Sequence, residues 1–132
     1  MHPTNTINAP FARRLWTGRV LSALAVLILA FDLTIKFIHI APVTESFARL
    51  GIPDHLALAI ATLELTCLVV YLIPRTAPLG AVLLTGFLGG AITLHVRVGD
   101  PLLSHILFPS YIGALLWVGL YLRDARVRML LS

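Results

Sequence analysis

The stretch from Val20 to Ile40, VLSALAVLILAFDLTIKFIHI, is a continuous apolar run with three ionisable residues near its end. Its length matches the roughly 20 residues that an α-helix needs to cross a hydrocarbon core of about 30 Å. A signal peptide would have a shorter apolar core and a small-residue cleavage site after it. We therefore expect a retained membrane-spanning helix over about residues 18–40.

Three further apolar blocks follow, near residues 55–73, 79–97 and 106–122. Charged residues make up 12% of the 132-residue chain, whereas about 25% are charged in an ordinary soluble domain. The sequence therefore predicts an all-α membrane protein, a bundle of four transmembrane helices over residues 18–122. A flexible cytoplasmic tail is expected at residues 1–17 and a basic cytoplasmic tail at residues 123–132.

Basic residues near the span ends predict the orientation of the bundle. Cytoplasmic loops of membrane proteins carry an excess of Lys and Arg. On one side lie only Arg49 and Arg97, with Lys36 inside the first span. We expect both termini in the cytoplasm, and we assign the net charge of +4 to contact with lipid headgroups rather than nucleic acid. The cytoplasmic side carries Arg13, Arg14, Arg19, Arg75, Arg123, Arg126 and Arg128.

Ionisable residues inside the spans gather at one depth. At 1.5 Å per residue, Asp32 and Glu64 lie roughly 12 and 13 Å from the outer ends of their helices. A charge at the centre of a bilayer costs at least about 2.5–3.5 kcal/mol, so these groups are expected to find partners. The sequence predicts a polar pocket in the outer half of the bundle, with Asp100 and His105 nearby. Its candidate residues are Asp32, Lys36, His39, Glu64, His95, Arg97 and Tyr111.

The same charges have a purely structural interpretation. Asp32 and Lys36 are four residues apart, so they can neutralise each other on one helix face. Glu64 would then pair with Lys36 or Arg97 and fix the order of the helices. In this interpretation the charges hold helices together and no ligand is bound.

Cofactor and metal sites have little support in the sequence. His39 and His95 lie on different helices near their outer ends, which is only the minimum geometry for a haem. The H-x-x-x-H spacing that places two zinc ligands on one helix face is missing, so no metal site is predicted. Cys67 is the single cysteine, which excludes an intrachain disulfide.

Glycines and aromatic residues suggest two further structural roles. Gly86, Gly89 and Gly90 lie in the third block, and Gly86 and Gly90 form a G-x-x-x-G pair that would let a neighbouring backbone approach closely. We expect the tightest helix packing there, with a homodimer contact through the same face as the alternative. Interfacial anchors are expected at the cytoplasmic boundary at Trp16, Tyr71 and Tyr121.

Several segments share a pattern with one family of small bacterial membrane proteins. On these residues the chain resembles the DoxX-like family over about residues 20–128. The third-helix segment through Pro101 is the most specific part of the match. The segments are D-x-x-x-K at 32–36, LGIP at 50–53, LEL at 63–65, GA at 80–81, LTGFLGGAI at 84–92, HVRVGDP at 95–101, Trp117 and LYLRDARVR at 120–128.

The resemblance implies a four-helix protein of the inner membrane that serves as an accessory subunit of a quinone-linked redox system. By this analogy the outer pocket would contact a quinone headgroup and the protein would bind a membrane redox partner. The chain lacks the cysteine pairs of thiol-redox bundles. The alternatives are a structural or assembly protein without its own activity and a small proton-coupled transporter.

Overall fold

The computed structural model describes residues 5–132, with side chains from Ala9 onward, and it is 86% helical. No strand occurs within the described residues, so the all-α prediction is confirmed. The helices are α1 (Asn5–Ile38), α2 (Ala41–Leu50), α3 (Ala57–Leu72), α4 (Ala77–Arg97), α5 (Phe108–Arg123) and α6 (Ala125–Leu130).

Four helical segments are long and apolar enough to cross a membrane, which confirms the predicted number of spans. A 3₁₀ turn at Asp54–Leu56 extends α3, and a π-helical turn at Leu102–Ile106 precedes α5. Helix α1 already begins at Asn5, inside the predicted tail, and residues 1–4 lie outside the described residues. The division into tails and membrane domain stays a prediction.

The four long helices form a closed ring in which each contacts two neighbours. Helix α1 packs against α3 and α5, and α4 packs against the same two helices. A Cβ added at Gly18 would lie 2.8 Å from the carbonyl oxygen of Gly119, so the start of the first span meets the end of α5. We call this the termini end of the bundle, and the opposite end, with His39, Asp54 and Asp100, the loop end.

Most of the hydrophobic core lies toward the termini end. Leu84, Leu116 and Leu120 are fully buried there. Tyr71 is also fully buried, so its predicted place as an interfacial anchor is wrong. Its hydroxyl donates to the carbonyl oxygen of Leu116 at 3.0 Å, and a buried phenol needs such a partner.

Helix α2 occupies the segment between the first two spans, where the sequence indicated only a connection. His39, with φ 64°, ends α1, and Gly51, with φ 73°, ends α2. The backbone N–H groups of Gly51 and Ile52 donate to the last turn of α2, which satisfies its carbonyls. Val43 and Phe47 lie one turn apart on the buried face, so α2 is an amphipathic helix that packs across the loop end.

The closest helix contacts do not involve the glycines expected from the sequence. A Cβ added at Gly86, Gly89 or Gly90 would meet no atom within 4 Å, so these residues form no packing seam inside the described chain. At Gly80 it would clash with the backbone of Tyr71, so α3 and α4 meet there instead. The homodimer contact through the predicted glycine face stays a prediction.

Candidate functional site

The ammonium group of Lys36 joins two carboxylates at the centre of the predicted site. Its Nζ donates to Oδ2 of Asp32 at 2.5 Å and to Oε2 of Glu64 at 2.7 Å. The first contact follows from the four-residue spacing on α1, which places both side chains on one face. The second contact links α1 to α3, so the triad ties two spans together.

Burial differs strongly between the members of this triad. The Glu64 side chain is fully buried, that of Lys36 is 11% exposed, and that of Asp32 is 43% exposed. Oε1 of Glu64 has no hydrogen-bond partner among the described residues. Because a buried polar atom without a partner costs about 1–3 kcal/mol, the triad is incompletely satisfied.

His39 belongs to a separate pair at the loop end. Its Nε2 lies 2.8 Å from Oδ2 of Asp54, the first residue of the 3₁₀ turn before α3. Both side chains are more than 40% exposed. This pair therefore sits at the surface and connects the end of α1 to the start of the second span.

His95 belongs to a third group, centred on Asp100. Nδ1 of His95 lies 2.5 Å from Oδ2 of Asp100, and the guanidinium of Arg49 donates to Oδ1 of the same carboxylate. The hydrogen bond from His95, followed by that from Arg49, holds the pKa of Asp100 below its ordinary value. Since Arg49 lies in the last turn of α2, this group fastens α2 to the end of α4.

Arg97 and Tyr111 lie apart from the triad. The Arg97 guanidinium lies against Gly51 and makes no ion pair within the described residues. The Tyr111 hydroxyl donates to the carbonyl oxygen of Leu103 at 3.2 Å, and its side chain is about half exposed. The seven predicted residues therefore share the loop end but fall into separate groups.

A cavity of about 1160 Å³ lies between the four spans beneath α2. Asp32, Lys36 and His95 contribute its ionisable wall, whereas most of its other lining side chains are apolar. Phe31 and Leu63 line the cavity and are more than half exposed, so the space is not sealed. The bundle is thus filled at the termini end and hollow toward the loop end.

Two of the α4 glycines line this cavity. Gly86 and Gly90 lie on its wall, whereas Gly89 does not. Because neither Gly86 nor Gly90 has an atom within 4 Å of its missing Cβ position, each leaves space that a larger side chain would fill. Their contribution is cavity volume, not helix contact.

The comparisons with known proteins give one match. A family model described as the DoxX-like family matches residues 20–119, about three quarters of the 132-residue chain. The chain belongs to the DoxX-like family. No curated protein and no solved structure matches it. The matched region of this DoxX-like protein includes all four long helices in whole or in large part, together with every residue of the triad.

Sequence reasoning missed two partners in the DoxX-like site. Arg49 and Asp54 lie in the segment interpreted as a connection, yet they bind Asp100 and His39. Arg49 could have been identified from its position, because it is a charged residue at the edge of the apolar face of an amphipathic helix. Within the residues that the structure describes, no group of three or more His, Cys, Asp or Glu could hold a metal ion.

Proposed function

We propose that this DoxX-like membrane protein binds a lipophilic molecule of the quinone class in its cavity and acts as an accessory subunit of a membrane redox system. The cavity carries this proposal. Ligand sites are typically apolar spaces of about 300–1,000 Å³ with a few placed polar groups. The cavity volume of about 1160 Å³ lies slightly above this range, and Asp32, Lys36 and His95 provide the polar groups on its otherwise mostly apolar wall.

The path into the cavity supports a ligand that comes from the bilayer. Phe31, Leu63 and Val82 all line the cavity and are exposed on the surfaces of three different spans. A ring with an apolar tail would enter between the helices and keep its tail among such side chains. Its polar headgroup would then meet Asp32 and Lys36.

The proposed location is the inner membrane with both termini in the cytoplasm. The arginines near the termini end outnumber those at the loop end, which is the pattern of cytoplasmic loops. The cavity would then lie toward the outer face of the membrane. A redox enzyme that reaches the quinone pool would be the partner protein, and a second copy of the chain is a further candidate.

A structural role is the alternative, and one observation favours it. Lys36 is already bound by carboxylates from two helices, and such contacts hold transmembrane helices together. A small proton-coupled transporter is the other alternative, with Glu64 as its proton site. Both alternatives predict that the cavity binds no quinone.

A binding measurement with a matched pair of glycine variants tests the proposal. We expect a decyl-substituted benzoquinone to bind the purified protein saturably in calorimetry. Gly86→Leu fills the cavity wall, so binding should weaken at least about tenfold, the equivalent of about 1.4 kcal/mol. Gly89→Leu adds the same side chain outside the cavity and should bind as the wild type does.

Two results would contradict the proposal. One is the absence of saturable binding to the wild-type protein. The other is equal affinity in the wild type and Gly86→Leu, which would place the ligand elsewhere. Intact-protein mass spectrometry from native membranes tests the accessory role separately, because the redox partner should be released together with this chain.

A further inference from the structure

The charged donor on the polar wall of the cavity is already engaged inside the chain. The Lys36 ammonium has three N–H groups. Two of them bind Asp32 and Glu64, and the ammonium lies 5.4 Å from the centre of the Phe87 ring, within range of a cation–π contact. The Lys36 ammonium is therefore engaged inside the chain by two carboxylates and one aromatic ring.

Acceptors on or behind the same wall remain open. The described hydrogen bonds of Asp32 use only Oδ2, and its side chain is 43% exposed on the cavity wall. Oε1 of Glu64, behind Lys36, receives no hydrogen bond from the described residues. The triad thus presents the open Oδ1 of Asp32 as an acceptor on the cavity wall.

His95, when neutral, adds another acceptor to the wall. A carboxylate only accepts hydrogen bonds, so in the neutral imidazole the contact with Asp100 places the proton on Nδ1. Nε2 of the neutral ring is then an acceptor. Thr93, also on the wall, donates its hydroxyl to Gly89 and keeps only its oxygen lone pairs for a ligand.

The balance of charged groups also favours a ligand that donates hydrogen bonds. Two carboxyl groups share one ammonium, so acidic groups outnumber basic groups in the triad. The arginines at the loop end have other contacts, because Arg49 binds Asp100 and the guanidinium of Arg97 lies against Gly51. An excess of carboxylate acceptors in an apolar surrounding favours a partner that brings hydrogen-bond donors.

We infer that the cavity selects a headgroup that donates hydrogen bonds over one that only accepts them. This inference rests on the proposed function and names the form of its ligand. Of a quinone couple, the hydroquinone carries two hydroxyl donors, whereas the quinone carries only carbonyl acceptors. The protein therefore binds the reduced form, with a hydroxyl on Asp32.

Three ligands of nearly equal shape test this preference under anaerobic conditions. They are decyl-benzohydroquinone, the corresponding quinone and the dimethyl ether of the hydroquinone, each titrated into the wild-type protein by calorimetry. We expect the hydroquinone to bind about tenfold tighter than the quinone, the ratio given by one hydrogen bond to a charged group at the low end of its range. The dimethyl ether lacks donors and should bind like the quinone.

Two variants test whether Asp32 on the cavity wall causes the preference for the hydroquinone. Asp32→Asn replaces a carboxylate oxygen by an amide N–H donor, so the preference for the hydroquinone should fall below about threefold. Asp54→Asn makes the same change at the loop end outside the cavity, and it should keep the wild-type preference. The comparison of ligands on the wild-type protein stands even if Asp32→Asn fails to fold.

The possible failures are distinguishable. Equal or tighter binding of the quinone overturns the inference and leaves the proposed function standing. Tight binding of the dimethyl ether also overturns it, because the hydroxyl donors would then contribute nothing. Failure of all three ligands to bind overturns the inference together with the proposed function.

Discussion

Lys36 is the residue on which the polar centre of this protein depends. The sequence placed one acidic partner four residues away and left the partner of Glu64 open between Lys36 and Arg97. The structure selects Lys36 for both carboxylates, and Arg97 lies at Gly51. Removal of Lys36 would leave the fully buried Glu64 carboxylate without any donor.

Lys36→Met should therefore lower the free energy of unfolding by roughly 3–5 kcal/mol, as loss of one partner from a buried ion pair does. Addition of Glu64→Leu should recover most of this loss, because the unpaired charge is then gone. Unfolding of both variants in detergent measures the two values. The exposed Glu45 makes no described ion pair, so Glu45→Gln is the control. If the single and double variants were equally stable, the unpaired buried charge of Glu64 would not be the cause of the lost stability.

Helix α2 is the element that closes the loop end. Its apolar face covers Ala57 and Ile60 at the start of α3, and Arg49 fastens its last turn to Asp100. The sequence did not reveal this helix, because ten residues between two spans are too short to stand out from a connection. Its turn residues, Pro42 and Gly51, are visible in the sequence, but the covered face depends on contacts with other helices.

The attachment of α2 should depend on pH through Asp100. Since its pKa is lowered in the folded protein, ionised Asp100 contributes stability that is fully present above its ordinary value of 3.8. This contribution is lost as the pH falls through the lower, folded pKa.

Asp100→Asn should therefore melt at a lower temperature than the wild type at pH 7, and the difference should shrink as the pH falls below 3.8 and Asp100 becomes protonated. Thermal unfolding at pH 7 and over this acid range measures the difference. Asp54→Asn controls for acid effects at the loop end as a whole. A difference between wild type and Asp100→Asn that does not change with pH would show that the carboxylate charge has no part in holding α2.

The whole molecule is a ring of four spans that is packed at one end and hollow at the other. The termini end contains the fully buried leucines and the Tyr71 hydrogen bond, whereas the loop end contains the cavity. Four crossings bring both termini to the same side of the bundle, and we propose from the arginine distribution that this side is cytoplasmic.

Labelling of single cysteines in intact bacterial cells should verify this orientation. In a Cys67→Ser background, Glu45→Cys on exposed α2 should react with a membrane-impermeant maleimide. Arg75→Cys, in the turn at the termini end, should react only after the membrane is permeabilised. The reverse pattern would invert the predicted orientation and place the cavity toward the cytoplasm.

Span number and the position of the charged residues toward the loop end of the bundle follow from the sequence because both are local properties. Apolar length sets a span, and a residue's place along its helix sets its depth. The partner of Glu64, the burial of Tyr71 and the cavity at Gly86 and Gly90 depended on the tertiary structure. These features arise from the rotation and separation of helices distant in the chain, which hydropathy and spacing within one helix do not encode.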